Sequence, residues 1–359
     1  MKIFFDARWT QFPHHDGISR FGASLVGALA KLTPVTMLVC DRRQLDMLPP
    51  DIPYVLVNHP LSPAELRLPA KLNALGADVV YTPFQIMGSR GRRYKLIFTL
   101  HDVIYYKYPF APTTLNPVLR FGWWAYHHAY WPGRWVLNAA DVVATVSQTS
   151  KAEIAERHLT DRPIEVVYNA PVGLPQVKRT AHPSKELVFM GTLMPYKNAE
   201  ALIQTLPLLP DYRLHLTGRG TPDRLRALTA LARRHSVADR VTLHNGASDE
   251  TYAELLGRAT AAVSASLAEG FGLPVIEAMA AGVPFIATDM PIFHEVGGEA
   301  ALYFNPAHPQ ELANQVKTLE DPAVRDRQIQ AGYLQAQKFN WDNSAKTLLQ
   351  AMVKLVDGQ

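Results

Sequence analysis

The sequence predicts an α/β protein built from two consecutive doubly wound units. Three observations carry this expectation. Short β-rich apolar runs alternate with helical patterns along the whole chain, the arrangement of parallel sheets whose strands are joined by helices. A polar, proline-dotted stretch from Pro171 to Lys185 interrupts the alternation, which then restarts. The 359 residues suffice for two cores of ordinary size.

In the first half the apolar runs are Ile3–Phe5, Met37–Val39, Tyr54–Val57, Val79–Tyr81, Leu96–Leu100, Val142–Val146 and Ile164–Tyr168, with amphipathic patterns such as Ile18–Lys31 and Lys151–His158 between them. After the break, runs follow at Leu187–Met190, Arg213–Leu216, Val241–Leu243, Ala261–Ser264, Phe285–Ala287 and Ala301–Phe304. Helical spacing from Trp341 to Val356 closes the chain. The expected organisation is a first domain over 1–170, a linker over 171–185, a second domain over 186–338, and a C-terminal helix over 339–359 that packs back on the first domain. Open α/β sheets bind ligands at the carboxyl ends of their strands, so two such units predict a shared central cleft.

Composition is that of a folded globular chain, 48% hydrophobic and 19% charged. An early charge at Lys2 and Asp6 argues against a secretory signal, and no apolar run has the length of a membrane span. The single cysteine, Cys40, excludes an internal disulfide, fits a reducing compartment, and ends an apolar run where a buried inert thiol is expected. A cytoplasmic protein is expected. Charge is uneven: 18 Lys and Arg against 13 Asp and Glu through Ala170, then 18 against 19. A basic cluster at Arg90, Arg92, Arg93 and Lys95 offers a face to anionic lipid, or is ordinary solvated surface. No nucleic-acid module accompanies it.

The most informative stretch is Glu269-Gly270-Phe271-Gly272-Leu273-Pro274-Val275-Ile276-Glu277, directly after a strand. Its glycines permit close backbone approach, and a helix opening near Pro274 offers free amides to ligand oxygens. Glu277 is then expected in the first turn and Glu269 in the preceding loop. Two acceptors at one pocket suit paired sugar hydroxyls; a helix-dipole partner and a surface carboxylate are the plain alternative. No metal is expected, because Asp-x-Asp is absent and the pairs His14-His15 and His127-His128 lack ligand spacing. The first strand carries no Gly-x-Gly-x-x-Gly, which disfavours a dehydrogenase.

This stretch resembles the signature of glycosyltransferase family 4, in which two glutamates flank a Gly-Phe-Gly-Leu-Pro loop. Further motifs follow in the family's order: Asp6-Ala7-Arg8 with Gly17-Ile18-Ser19-Arg20, Thr99-Leu100-His101-Asp102, Val146-Ser147 to Ser150-Lys151, and Phe189-Met190-Gly191 to Lys197-Asn198. The resemblance spans nearly the whole chain. It implies the GT-B fold, two Rossmann-like domains facing a cleft, and a metal-independent retaining transfer of a sugar from a nucleotide-diphosphate donor. It implies Lys197 as the cation for the departing diphosphate, Glu269 for sugar hydroxyls, Glu277 for the ribose, and His101 beside the transferred sugar. Asp102 orients His101 or faces the acceptor. Gly17, and Gly270 through Leu273, join the donor-binding set, and front-face retention is expected because no carboxylate nucleophile stands out.

Two departures stand against the pattern. Thr192 occupies the place of an arginine that commonly supplies a second cation, for which Arg219 or Arg20 is a candidate replacement, and Ala170 follows Asn169 where glycine is usual. The Gly191–Asn198 form is similar to bacterial mannosyltransferases of surface-polysaccharide assembly, which points to GDP-mannose and a saccharide or lipid-linked saccharide acceptor. A UDP-sugar transferase of the same family is the alternative, followed by a sugar-nucleotide epimerase and a catalytically silent sugar-binding protein. One segment stands outside these motifs. Leu115–Leu137 mixes Trp123, Trp124, Tyr126, Tyr130, Trp131 and Trp135 with Arg120, His127, His128 and Arg134. Its readings are core packing, or a surface for a membrane interface or a lipid-linked acceptor, and Pro132-Gly133 is expected to break its helix.

Overall fold

The computed structural model describes residues 1–111, 116–171, 173–174, 177–180 and 183–358. Leu115 of the aromatic segment and five positions of the expected linker lie outside the described residues. The chain forms two compact units, Pro171–Phe339 and the remainder on either side of it.

The first unit contains β1 (Ile3–Asp6), β2 (Val35–Val39), β3 (Tyr54–Leu56), β4 (Val79–Thr82), β5 (Lys95–Thr99), β6 (Val142–Thr145) and β7 (Ile164–Val166). All pair in parallel, in the order β3-β2-β1-β4-β5-β6-β7. The strands β1, β4 and β6 are buried at every residue, which explains why they read as continuous apolar runs rather than alternating ones. Sheet order reverses direction at β1 and β4, so the carboxyl ends of those two strands flank a switch point.

The helix Trp341–Asp357 belongs to this unit. Asn340 caps its start by accepting the Asn343 amide, and Gly358 ends it in a left-handed conformation at φ 73°. Its buried stripe of Ala345, Leu348, Ala351 and Met352 faces the helix Gly17–Ala30, with Phe21 and Trp341 edge to face at 5.7 Å.

The second unit contains β8 (Glu186–Phe189), β9 (Arg213–Leu216), β10 (Val241–Leu243), β11 (Ala261–Ser264), β12 (Phe285–Thr288) and β13 (Ala301–Phe304). They too are all parallel, in the order β10-β9-β8-β11-β12-β13, and the switch point falls between β8 and β11. Every apolar run read from the sequence is therefore a strand, with ends shifted by at most two residues.

The Asp6-Ala7-Arg8 motif has a structural use. Arg8 donates from Nε to Asp6 Oδ1 at 2.8 Å and from Nη1 to Glu65 Oε2 at 2.6 Å, with both Arg8 and Asp6 side chains fully buried. Nη1 also reaches the Asn58 carbonyl, and Glu65 Oε1 accepts the Gly88 amide. The guanidinium thus ties the end of β1 to the loops after β3 and β4. Its partners raise its pKa even against burial, so it stays charged. Cys40, half-buried rather than buried, lies beside the Arg8 carbonyl, and burial pushes its thiol pKa up. Removing Arg8 leaves the buried Asp6 and the nearly buried Glu65 without their counter-ion. Arg8→Ala is expected to cost about 3–5 kcal/mol of stability in the first unit, measured by denaturant unfolding with a probe in that unit.

Candidate active site

The two strands that flank the switch point of the second unit each deliver one charged side chain. The chain leaves β8 at Phe189, passes Gly191, and makes a short 3₁₀ turn, Pro195–Lys197. It leaves β11 at Ser264 and runs through Ser266 to Glu269. The Leu267 amide donates to the Tyr196 carbonyl at 2.8 Å, which fastens one loop to the other.

Across this junction Lys197 Nζ donates to Glu269 Oε1 at 2.6 Å, both side chains being only 12% exposed. Ser266, fully buried, donates its hydroxyl to the same oxygen at 2.9 Å, and its own Oγ lies 3.0 Å from Ser264 Oγ. A Ser266 proton committed to the carboxylate makes Ser264 the donor in that second bond. Both contacts fall on Oε1, so the carboxylate is fixed in plane. Lys197 also lies 5.5 Å from the Tyr196 ring centroid.

The loop after β9 joins this cluster through its backbone. Leu193 donates its amide to the Arg219 carbonyl at 2.9 Å, and a side chain at Gly218 would strike the Gly191 carbonyl. Glycine at 218 is required for that approach. The Arg219 side chain is exposed and approaches Gly246, in the loop after β10.

Beyond Glu269, Phe271 turns inward and packs edge-on to Phe339 at 5.4 Å. Gly272 then caps the helix Leu273–Ala280 with φ 88°, where any Cβ would also crowd the Phe293 ring. The helix thus starts at Leu273, and Glu277 lies in its second turn, not the first turn expected from Pro274. Glu277 is buried, and its charge adds to burial in raising the Tyr252 hydroxyl pKa.

His101, Asp102 and Gly17 belong to the first unit. His101 lies just past the carboxyl end of β5, where Nε2 is 2.8 Å from the Pro83 carbonyl and the ring meets Phe21 edge-on at 4.9 Å. Burial lowers its pKa, against the opposing pull of the Pro83 carbonyl and Asp16. Asp102 Oδ1 accepts the Ile104 amide at 2.9 Å, which uses that oxygen to start the next short helix. Gly17 opens the helix Gly17–Ala30, but Asp16 caps it by accepting the Ser19 amide, so an anion arriving there meets a carboxylate.

Reading the sequence for site residues missed Ser266 and Ser264. The available signal was the pair of serines at the strand end, three and five residues before Glu269. It also missed that Lys197 and Glu269 are direct partners, because 72 residues separate them. In the aromatic segment, the helix break falls at Tyr130, with φ 49°, between the helices Pro117–Ala129 and Trp131–Leu137. Pro132 sits in the first turn of the second helix, where its missing amide costs nothing, so it starts a helix rather than breaking one.

Two family profiles match the chain: "Glycosyltransferase Family 4" over residues 15–170 and "Glycosyl transferases group 1" over residues 174–335. The O-antigen chain mannosyltransferase RfbU of Salmonella typhimurium is 32% identical over 179 residues, 50% of this chain and 50% of that one. O-antigen chain mannosyltransferase B of Escherichia coli is 28% identical over 236 residues, 60% of this chain and 61% of its own. The chain thus spans about half to three fifths of the length of these relatives. Sucrose-phosphate synthase of Thermosynechococcus elongatus has the same fold, with a TM-score of 0.75 at 20% identity over 100% of both chains.

The lowered His101 pKa has a definite sign. Because the folded value lies below the ordinary value of about 6.5, the unfolded chain binds the proton more readily. The stability it contributes is full above that ordinary value and is lost as pH falls through the folded one. An NMR titration of His101 should show a midpoint below about 6.5, and His101→Phe should flatten the acid side of the stability profile.

Proposed function

The chain belongs to glycosyltransferase family 4, with two parallel-sheet units of the GT-B fold, and from that premise we propose that it moves mannose from GDP-mannose, with retention, to a saccharide or lipid-linked saccharide acceptor. The observation that carries the reading is the Lys197–Glu269 pair, held at the switch point of the second unit by Ser266. The mannosyltransferase relatives support the choice of sugar.

In this reading the donor diphosphate lies against Lys197. An ammonium has three N–H donors, so Lys197 can keep Glu269 and still bind phosphate oxygens. Charge grows on the diphosphate as the glycosidic bond breaks, and a positioned cation stabilises that growth most. Glu269 takes sugar hydroxyls, the Gly270–Leu273 loop lines the donor, and Glu277 receives the ribose. The family resemblance assigns His101, kept neutral by burial, to the transferred sugar. Arg219, beside the Gly191 loop, takes the part that Thr192 cannot play. The diphosphate itself accepts the acceptor's proton on the face it leaves. The reaction requires no divalent metal, since Lys197 supplies the positive charge and the sequence contains no Asp-x-Asp. Its place of action is the cytoplasmic face of the cell membrane, where a lipid-linked acceptor is presented.

A thermal-shift and hydrolysis screen of common nucleotide sugars tests the donor, because a ligand that binds only the folded state raises its melting temperature. GDP-mannose should give the largest shift, and excess chelator should leave turnover intact. A larger response to a UDP-sugar, or loss on chelation restored by magnesium or manganese, would refute this donor or this metal independence. Lys197→Ala should lower turnover on the order of 10²-fold while keeping the fold. Near-normal turnover in the purified variant would remove Lys197 from the diphosphate.

A further inference from the structure

The helix pair Pro117–Ala129 and Trp131–Leu137 presents an outer face that is apolar where a soluble protein's helix is polar. Val118 is 79% exposed, Phe121 68%, Trp131 70% and Trp135 78%, and Trp124 stacks on Phe121 at 5.9 Å on the same outer face. The inner face is already packed: His127 is buried against Trp123 and Tyr106, at 4.5 and 5.1 Å between ring centroids. The outer aromatics are therefore not a core waiting for its neighbours. Beside them opens an apolar groove of about 1020 Å³, lined by Leu66, Ile86, Met87, Trp131 and Trp135, with Arg90 at its edge. Leu66 is itself 80% exposed.

Charge identifies what this surface meets. From Val103 to Ala140 the sequence contains no acidic residue, while Arg120 stands exposed on the first helix and Arg90 at the groove. The acids near the groove are spent: Glu65 is paired with Arg8, and Asp161 with Arg134 at 2.6 Å. A second copy docking symmetrically would bring the patch against itself, cations facing cations with no acid to offset them. A bilayer of anionic lipid supplies both halves of the match, headgroup charge for the arginines and an interface that tryptophan favours.

We propose that this helix pair and its groove form the surface by which the chain docks, peripherally, on an anionic lipid bilayer, with Trp131 and Trp135 entering the interface. The proposal deepens the membrane-side placement given above. Among the described residues no helix is long and apolar enough to cross a membrane, so the mode is lying on the surface. Of the Arg90, Arg92 and Arg93 cluster read from the sequence, the docking surface keeps Arg90 and leaves out Arg92. Arg92 pairs with Asp141 at 2.7 Å and donates to the Ala139 carbonyl, which makes it part of the fold.

The test is co-sedimentation of the full chain with vesicles of phosphatidylcholine, with and without phosphatidylglycerol, at low and high salt. Expected are binding to the anionic vesicles, weakening by salt, and a blue shift of tryptophan emission. A Trp131→Glu, Trp135→Glu double variant should bind at least about tenfold more weakly. Arg90→Glu with Arg120→Glu should erase the preference for anionic lipid. Both pairs are exposed, so circular dichroism and melting should match the parent, and donor hydrolysis should persist in the tryptophan variant. Absence of binding to anionic vesicles at low salt, or binding unchanged by the tryptophan substitutions, overturns the proposal. A dimer in solution that those substitutions dissolve, without lipid binding, assigns the face to a second copy and overturns it equally. Failure of every nucleotide sugar while vesicle binding holds would instead refute the donor reading.

Discussion

At Glu269 two donors share a single carboxylate oxygen, the Lys197 ammonium at 2.6 Å and the Ser266 hydroxyl at 2.9 Å. A nearly buried ion pair is a poor source of net stability, because desolvation consumes most of the Coulomb gain. Its value lies in orientation. With Oε1 occupied, the carboxylate cannot rotate without breaking two charge-assisted bonds, and the opposite oxygen keeps one direction. Lys197 is held in the same way, so the cation and the acceptor are placed before any ligand arrives and lose little freedom when one does.

That placement follows from sheet order. Neighbouring strands that connect in opposite directions leave the space above their carboxyl ends uncovered. In the second unit those strands are β8 and β11, and their loops bring Lys197 and Glu269 together across 72 residues of sequence. In the first unit the strands are β1 and β4. There the Arg8 guanidinium binds Asp6 and Glu65 while His101, from the neighbouring β5, leans on the carbonyl of Pro83 just past β4. Each unit therefore has a buried or nearly buried ion pair at its strand ends. In the first it joins three loops into a platform, and in the second it joins the segments that follow β8 and β11.

The aromatic segment shows how one sequence pattern serves two surfaces. Trp123 and His127 recur at helical spacing on the inner face, whereas Val118, Phe121 and Trp124 occupy the outer one. Composition alone could not separate the core from the interface reading, since both need large apolar side chains. The helices carry a packed and an exposed aromatic face at once, and beyond the break at Tyr130 the side chains of Trp131 and Trp135 are exposed as well.

The alternation of apolar runs and helical patterns was enough to determine the two parallel sheets, because strands buried on both faces must be continuously apolar and need long crossovers. The Glu269–Glu277 stretch, read with the motifs before it, was similar enough to one family to name Lys197 and Glu269, and its Gly272 is required by a left-handed backbone angle. Tertiary structure alone decided the rest. The partnership of Lys197 with Glu269, the seating of Ser266, the true start of the Glu277 helix at Leu273 behind the Gly272 cap, and the use of Arg92 within the fold all depend on contacts between distant segments or on one backbone angle. Local spacing records which side chains share a face of one element. It carries no record of which strand will lie beside which, and that adjacency is what sets one charged group against another.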